Sequence, residues 1–245
     1  MYYFASDIHL GAGDETTARR TEARFTAWLD EVSHDAEAVF LLGDIFDFWF
    51  EYGRVVPKGF VRTLSKLADM TSRGIRVVFL TGNHDMWVGD YLEKECGVEV
   101  HTRPMFVELA GKRLFVAHGD NMKIDGQPAL KFMNAVFRSK TLRFLFSWLV
   151  HPDLAVRFGR WWSGKSRKSH GAATDRSTLE PLTEYAGELG RAHGLDCCIF
   201  GHMHIAADIS AENLRVLFLG EWEVAPAYAV LSDDGSLTLE YLKTE

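Results

Sequence analysis

Residues 38–49 read AVFLLGDIFDFW, in which five apolar residues run directly into Gly43 and Asp44. A short apolar run that ends at a glycine is typical of a buried strand, so we predict a strand over residues 38–42. The same pattern recurs along the chain. The other predicted strands are Tyr2–Ala5, Ile75–Leu80, Leu114–Ala117, Cys197–Phe200, Leu214–Leu219 and Tyr228–Leu231.

Helical spacing separates the early strands. Apolar side chains that recur three and four residues apart mark one face of a helix. Two segments have this spacing: Phe25, Trp28, Leu29 and Val32, and then Phe60, Leu64, Leu67 and Ala68. Strands alternate with helices early in the chain and follow one another late in it. This order predicts an α/β fold, a layered sandwich with a mixed sheet.

The overall composition limits the classes of protein that fit. Of the 245 residues, 47% are hydrophobic and 25% are charged, which is typical of a globular protein and excludes a disordered or collagen-like chain. The net charge of −7 disfavours nucleic acid as a partner. Cys96, Cys197 and Cys198 form no CxxC pair, which argues against a disulfide framework and fits a reducing cytosol. We expect neither a signal peptide nor a membrane span, because the longest apolar stretch, residues 144–150, is far short of the roughly 20 residues needed.

One segment, residues 122–170, differs from the rest of the chain. It carries ten lysines and arginines but only two acids, Asp125 and Asp153, so its local charge is +8 while the remainder sums to −15. It also holds eight aromatic residues and no convincing strand pattern. We therefore predict an inserted helical lid over residues 122–170, basic and apolar at once, in a core formed by residues 1–121 and 171–245.

Polar side chains follow five of the predicted strands. In open α/β sheets, active sites form beyond the carboxyl ends of the strands, so these residues predict one converging site. The five blocks are Asp7-Ile8-His9, Gly43-Asp44, Gly82-Asn83-His84-Asp85, His118-Gly119-Asp120 and Gly201-His202-Met203-His204.

The residue types in these blocks indicate a metal site. Aspartate, histidine and asparagine combine hard oxygen with imidazole nitrogen and exclude thiolate, a set that suits Mn²⁺, Fe, Co²⁺ or Zn²⁺. Seven candidate ligands are too many for one ion, whereas two ions bridged by a shared carboxylate would use all of them. The candidates are Asp7, His9, Asp44, Asn83, His118, His202 and His204.

The five blocks together resemble the signature of the calcineurin-like metallophosphoesterases. The resemblance implies a four-layer αββα sandwich with a dinuclear metal centre, in which two ions activate a water for in-line attack on phosphorus. By that pattern one ion is held by Asp7, His9 and His204, the other by Asn83, His118 and His202, and Asp44 bridges them. The resemblance also implies that His84 is a catalytic residue near the leaving group and that Asp85 orients it.

Within that superfamily the chain is most similar to the UDP-2,3-diacylglucosamine hydrolases of lipid A synthesis. The similarity lies in residues 43–49, in a helical insertion after the His118 block, in a Ser/Lys-containing turn at residues 166–168 and in a Gly-x-Trp element at residues 220–222. It implies Mn²⁺-dependent cleavage of the pyrophosphate of UDP-2,3-diacylglucosamine to UMP and 2,3-diacylglucosamine 1-phosphate. The implied location is cytoplasmic and peripheral, on the cytoplasmic face of an inner membrane. The implied substrate contacts are Asn83, His84, Asp125, Ser166, Arg167, Lys168 and His202.

The lid composition agrees with a lipid-linked nucleotide as substrate, because Phe and Trp can line acyl-chain grooves while Lys and Arg meet phosphates or an anionic membrane surface. One residue departs from the lipid group, since His84 stands where that group has arginine. A soluble metallophosphoesterase that acts on a nucleotide or another phosphoester therefore stays open as the alternative. A binding scaffold without turnover is disfavoured, because all seven candidate ligands and His84 are present.

Overall fold

A computed structural model describes residues 1–122, 136–137, 139–170, 176–211 and 214–242. In these ranges the strands are β1 Tyr2–Ala5, β2 Ala38–Leu42, β3 Arg76–Leu80, β4 Glu99–His101, β5 Met105–Leu109, β6 Lys112–Ala117, β7 Cys197–Phe200, β8 Ala207–Ala211, β9 Leu214–Phe218, β10 Ala227–Leu231 and β11 Leu237–Tyr241. The helices are α1 Glu15–Val32, α2 Val61–Ser72, α3 Tyr91–Cys96, α4 Lys140–Leu149, α5 Pro152–His170 and α6 Glu180–His193, with a 3-10 turn at Arg176–Leu179 before α6.

The strands form two mixed sheets. The first has the order β11-β10-β1-β2-β3-β4, in which β1 to β4 run parallel, β10 is antiparallel to β1 and β11 is antiparallel to β10. The second has the order β5-β6-β7-β9-β8, in which β6, β7 and β9 are parallel and the outer strands antiparallel. All seven predicted strands are present, with ends shifted by at most two residues. The four strands that the sequence analysis missed are the four sheet edges.

Three apolar layers hold the sandwich together. Side chains alternate along each central strand, so that Phe40 of β2 faces the second sheet while Leu41 faces α1, α2 and α3. The middle layer packs Phe4, Phe40 and Val78 of the first sheet against the second sheet. The third layer packs the outer face of the second sheet against α6. The resulting order of helices, sheet, sheet and helix confirms the four-layer α/β sandwich.

Helices α4 and α5 lie in the described part of the segment that was predicted to be a lid. They connect to the core through aromatic contacts, including the ring of Phe146 on those of Phe50 and Trp87. Most of the large apolar side chains that the described residues expose are on these two helices. Among the described helices, none combines the length and apolar character that crossing a membrane requires.

The topology brings the carboxyl ends of five parallel strands to one edge of the sandwich. Strands β1, β2 and β3 are neighbours in the first sheet, and β6 and β7 are neighbours in the second. The loops that follow them are joined by backbone hydrogen bonds: Asp7 donates to the carbonyl of Gly43 at 3.1 Å, and Gly201 donates to the carbonyl of His118 at 3.0 Å. Between the two sheets, the backbone N–H of His202 donates to Oδ2 of Asp7 at 2.9 Å, so the polar blocks of both sheets meet at one place.

Candidate metal centre

Five of the seven predicted ligands have a left-handed backbone conformation. The φ angle is 57° at Asp7, 49° at His9, 53° at Asp44, 67° at His202 and 56° at His204. For a residue other than glycine this conformation is uncommon, costs on the order of 1 kcal/mol or more, and concentrates at functional sites. The chain turns sharply at each ligand, which directs the side chains toward one point.

Gly43 allows the loops to approach each other closely. Its φ is 90°, and a Cβ built there would lie 2.7 Å from both the backbone nitrogen of Gly82 and Nδ1 of His118. A larger residue would therefore push apart the ends of β2, β3 and β6. Gly43 is therefore required both by its positive φ and by the close packing of the loops.

The first group of ligand atoms comes from Asp7, His9 and His204. Nε2 of His204 lies 3.3 Å from Oδ1 of Asp7 and 3.2 Å from Nε2 of His9. Two atoms that bind one ion at about 2.1 Å are themselves roughly 3.0–3.4 Å apart. These separations therefore fit a shared cation.

The second group comes from Asp44, Asn83, His118 and His202. Nε2 of His118 lies 3.3 Å from Oδ2 of Asp44 and 3.2 Å from Oδ1 of Asn83. Asp44, His118 and His202 each offer an atom within 4.8 Å of the others. Oδ2 of Asp44 is also 4.0 Å from Nε2 of His9, which joins the two groups. The structure thus brings all seven predicted ligands together.

Burial and charge make this cluster suited to cations. Burial would raise the pKa of Asp44, but the neighbouring imidazoles, His118 first, hold it well below its usual value. Burial would also raise the pKa of Asp7. The hydrogen bond and charge of His204 outweigh this effect and lower the pKa of Asp7 to about 2. At His9, burial lowers the pKa to about 3, so this imidazole is neutral at pH 7 and able to bind a metal. Two buried carboxylates held in the charged form require positive charge beside them, from imidazolium or from a cation.

Glu221 stands behind one of the histidines. Its Oε2 lies 3.0 Å from Nδ1 of His204, on the ring edge opposite the ligand atom Nε2. Burial disfavours the charged imidazole, but Asp7 and Glu221 raise the pKa of His204 to about 10. The next residue, Trp222, donates its backbone N–H to the carbonyl of Asp7 at 3.1 Å. A carboxylate behind a metal-binding imidazole fixes the orientation of the ring.

His84 lies beside both groups and is held from two sides. Its backbone N–H donates to Oδ1 of Asp44 at 2.8 Å, and its Nε2 is 3.8 Å from Oδ2 of the same carboxylate. Nδ1 lies 3.0 Å from the carbonyl oxygen of Asp47 and 2.8 Å from Oγ of Ser163. His9, Asp44 and His84 also form a group close enough to share an ion. The imidazole of His84 therefore faces the Asp44 carboxylate through Nε2.

The sequence analysis missed Asp47 and Ser163. Asp47 follows Asp44 by three residues, and this spacing within the quoted stretch was a usable signal. Ser163 sits on α5 among aromatic and basic residues, and no local pattern distinguishes it from other serines. Its hydroxyl donates to the carboxylate of Asp47.

The expectation that Asp85 orients His84 was wrong. Asp85 is fully buried, and its carboxylate accepts backbone N–H groups from the β2 and β3 loops, at 2.7 Å from Gly82 and 2.8 Å from Ile45. Further backbone donors are Asp44 and Phe46, each at 3.3 Å. Burial and the charge of Asp44 raise the pKa of Asp85 to about 7. Asp85 thus ties two loops together, and the partners of the His84 ring are Asp47 and Ser163.

The other predicted substrate contacts divide into two sets. Asn83 and His202 are in the cluster, as described. Asp125 lies outside the described residues. The backbones of Ser166, Arg167 and Lys168 continue helix α5, where a turn was expected, and their side chains lie outside the described part.

Known proteins resemble the chain over nearly its whole length. The sequence profile of the calcineurin-like phosphoesterase family matches residues 2–206. A UDP-2,3-diacylglucosamine hydrolase of Porphyromonas gingivalis is 38% identical over 256 residues, covering 98% of this chain and 97% of the relative. Those of Haemophilus influenzae and Pseudomonas aeruginosa are each 28% identical, covering 98% and 90% of this chain and 98% and 90% of the relatives. These findings confirm the expected family resemblance, and the chain belongs to the calcineurin-like phosphoesterase family.

Proposed function

We propose that this protein hydrolyses the pyrophosphate bond of UDP-2,3-diacylglucosamine, giving UMP and 2,3-diacylglucosamine 1-phosphate, at a centre of two divalent cations. The observation that carries the proposal is the pair of adjacent ligand groups at the edge of the sandwich, with Oδ2 of Asp44 in the second group 4.0 Å from Nε2 of His9 in the first. The identity of the substrate is inferred from the names of the hydrolase relatives.

The donor set decides which cations we assign. Asp7, His9 and His204 would hold one ion, Asn83, His118 and His202 the other, and Asp44 both. Oxygen and imidazole donors without thiolate favour Mn²⁺, with Fe, Co²⁺ and Zn²⁺ as the other candidates. When bound, two such cations supply Lewis-acid stabilisation of phosphoryl charge and lower the pKa of a water molecule.

The remaining chemistry belongs to residues of the chain. The cluster lies at the edge where five loops meet, so a phosphate group can approach it from outside the strand ends. We assign to Nε2 of His84 the hydrogen bond or proton that the leaving oxygen requires. We assign contacts with the phosphoryl oxygens to Asn83 and His202, which both lie beside His118.

Helices α4 and α5, Lys140–Leu149 and Pro152–His170, are called the insertion hairpin from here on. Phe144, Trp148 and Leu149 on α4 are 66%, 77% and 69% exposed, and Trp161 on α5 is 60% exposed. The surrounding sequence is strongly basic. We propose that residues 122–170 form a lid whose apolar side chains meet the acyl groups of the substrate. Its cations would meet phosphates and an anionic membrane on the cytoplasmic face. This combination favours a lipid-linked substrate over a soluble phosphoester.

A turnover assay tests the proposed reaction. We expect the purified full chain with Mn²⁺ to release UMP from UDP-2,3-diacylglucosamine with a kcat/KM far above that for bis-p-nitrophenyl phosphate. Chelation should abolish both activities, because the phosphoryl charge is stabilised by the cations. Hydrolysis of the generic ester alone would discard the lipid substrate and favour the soluble phosphoesterase.

A second prediction concerns the exposed aromatics of the insertion hairpin. Replacing both Trp148 and Trp161 with serine is expected to lower kcat/KM for the lipid substrate by about tenfold or more, since burying one large apolar side chain is worth roughly 1.5–3 kcal/mol. Turnover of the generic ester should change by less than about twofold. Binding to phosphatidylethanolamine vesicles that contain phosphatidylglycerol should weaken in parallel, as measured by sedimentation.

The matched control is Tyr241→Ser, which removes an exposed aromatic ring from the last strand of the core. This variant should behave like the unmodified protein toward lipid, ester and vesicles. An equal fall on lipid and ester in the double tryptophan variant would contradict a role for the hairpin in lipid recognition.

A further inference from the structure

Helix α5 rests on the core through its small side chains. Ala155, Gly159 and Ser163 are spaced four residues apart and therefore lie along one face of the helix. All three are buried, Ala155 at 0% and Ser163 at 2% exposure, whereas Phe158 and Trp161 beside them are largely open. The helix thus lies with its narrow face on the core and its large apolar residues outward.

The face of α5 that carries Ala155, Gly159 and Ser163 packs against the loop that follows β2. A Cβ built on Gly159 would lie 2.3 Å from the ring of Phe48, so the helix backbone approaches that ring as closely as glycine permits. One turn later, Ser163 reaches Asp47 and His84. The insertion hairpin therefore contributes a buried polar group to the site, across 79 residues of sequence.

The hydrogen-bonding capacities at this point fix the position of a proton. The Ser163 hydroxyl has one proton, which it donates to the carboxylate of Asp47. Its oxygen can then only accept from Nδ1 of His84, 2.8 Å away. The carbonyl oxygen of Asp47, 3.0 Å from the same nitrogen, can also only accept. Nδ1 must therefore carry hydrogen, and Nε2 is the atom presented toward Asp44.

We propose that Ser163 is a positioning residue through which the insertion hairpin sets the ring orientation of His84, holding hydrogen on Nδ1 so that Nε2 is the nitrogen that gives its hydrogen to the leaving oxygen. Without this hydroxyl, the carbonyl of Asp47 is the one hydrogen-bond partner left to Nδ1 among the described residues, and the ring can turn about that contact. The orientation of the His84 ring then depends on the packing of α5 against the core. The kinetic part of the test rests on the proposed hydrolysis, whereas the spectroscopic part does not.

The test compares Ser163→Ala with Ser147→Ala in the full chain. Ser147 lies on α4, and its hydroxyl donates to the carbonyl of Phe144 within its own helix, so its removal takes one hydroxyl from the hairpin without touching His84. We expect Ser163→Ala to lower kcat on the order of tenfold, the rate factor for one lost hydrogen bond, with KM changed less than about twofold. Ser147→Ala should match the unmodified protein.

The second readout is long-range ¹H–¹⁵N correlation NMR of histidine-labelled protein loaded with diamagnetic Zn²⁺. The His84 signals are identified by their loss in His84→Gln. They should show hydrogen held on Nδ1 in the unmodified protein and in Ser147→Ala, and a loss of this preference in Ser163→Ala. An unchanged spectrum would overturn the proposal, and so would a rise in KM with constant kcat, which would make Ser163 a substrate contact. Absence of UMP release by the unmodified protein would contradict the proposed reaction and leave the NMR result decisive for Ser163.

Discussion

Replacing Asp44 with asparagine is expected to lower kcat/KM by at least about 10³-fold, because the change removes several kcal/mol of transition-state stabilisation. Oδ2 of Asp44 is the oxygen that faces His118 at 3.3 Å and His9 at 4.0 Å, and it is the one proposed to hold both cations. Its other oxygen accepts the backbone N–H of His84. Bound metal, measured by inductively coupled plasma mass spectrometry, should fall below two ions per chain.

The charge-matched control for Asp44 is Asp69→Asn, which neutralises an exposed carboxylate on α2 that pairs with Arg73, the residue just after this helix. This control should retain both metal and activity. Two ions per chain and near-normal turnover in Asp44→Asn would contradict a shared carboxylate, and with it the two-cation centre.

Replacing His84 with glutamine is expected to lower kcat by about 10²–10⁴-fold, the range for loss of a positioned proton donor. Metal content should stay unchanged, because the proposed ligand groups are complete without His84. The sensitive comparison is between substrates. The loss should be smaller for an ester with an acidic leaving group such as p-nitrophenol, which needs less protonation.

His34→Gln is the matched control for His84, since it makes the same chemical change at an exposed position after α1. Activity of this control should be unchanged. A fall in bound metal in His84→Gln would place this imidazole among the ligands, as the group of His9, Asp44 and His84 permits. An unchanged kcat would remove His84 from the chemistry.

The central strands and the ligand blocks could be predicted from sequence for one physical reason. Strands such as β2 are buried on both faces, so their residues are continuously apolar and their ends are marked by glycine and aspartate. The edge strands escape this signal. β5, for example, alternates between half-buried and exposed residues over only five positions. An alternation of apolar and polar residues this short also occurs in loops, so it does not identify a strand.

The details around His84 could not be predicted, because they depend on contacts between distant segments. Asp85 was assigned to its sequence neighbour, yet its carboxylate is used by backbone groups of the β2 loop, 39 to 41 residues away. Ser163 approaches His84 only because α5 packs through a glycine. Neither of these two contacts can be predicted from the spacing of nearby residues in the sequence.

The pairing of β1 with β10 has a consequence for how the protein is made. Tyr2 pairs with Leu231 and Phe4 with Ala229, so β1 needs a partner that is synthesised more than 200 residues later. The blocks that hold the proposed ligands are complete once His204 has emerged from the ribosome, but β1, which precedes Asp7, still lacks its neighbour β10. Non-local pairings of this kind slow folding. If the proposed ligands bind a cation at that stage, the cation would stabilise the position of β1 until β10 has been translated.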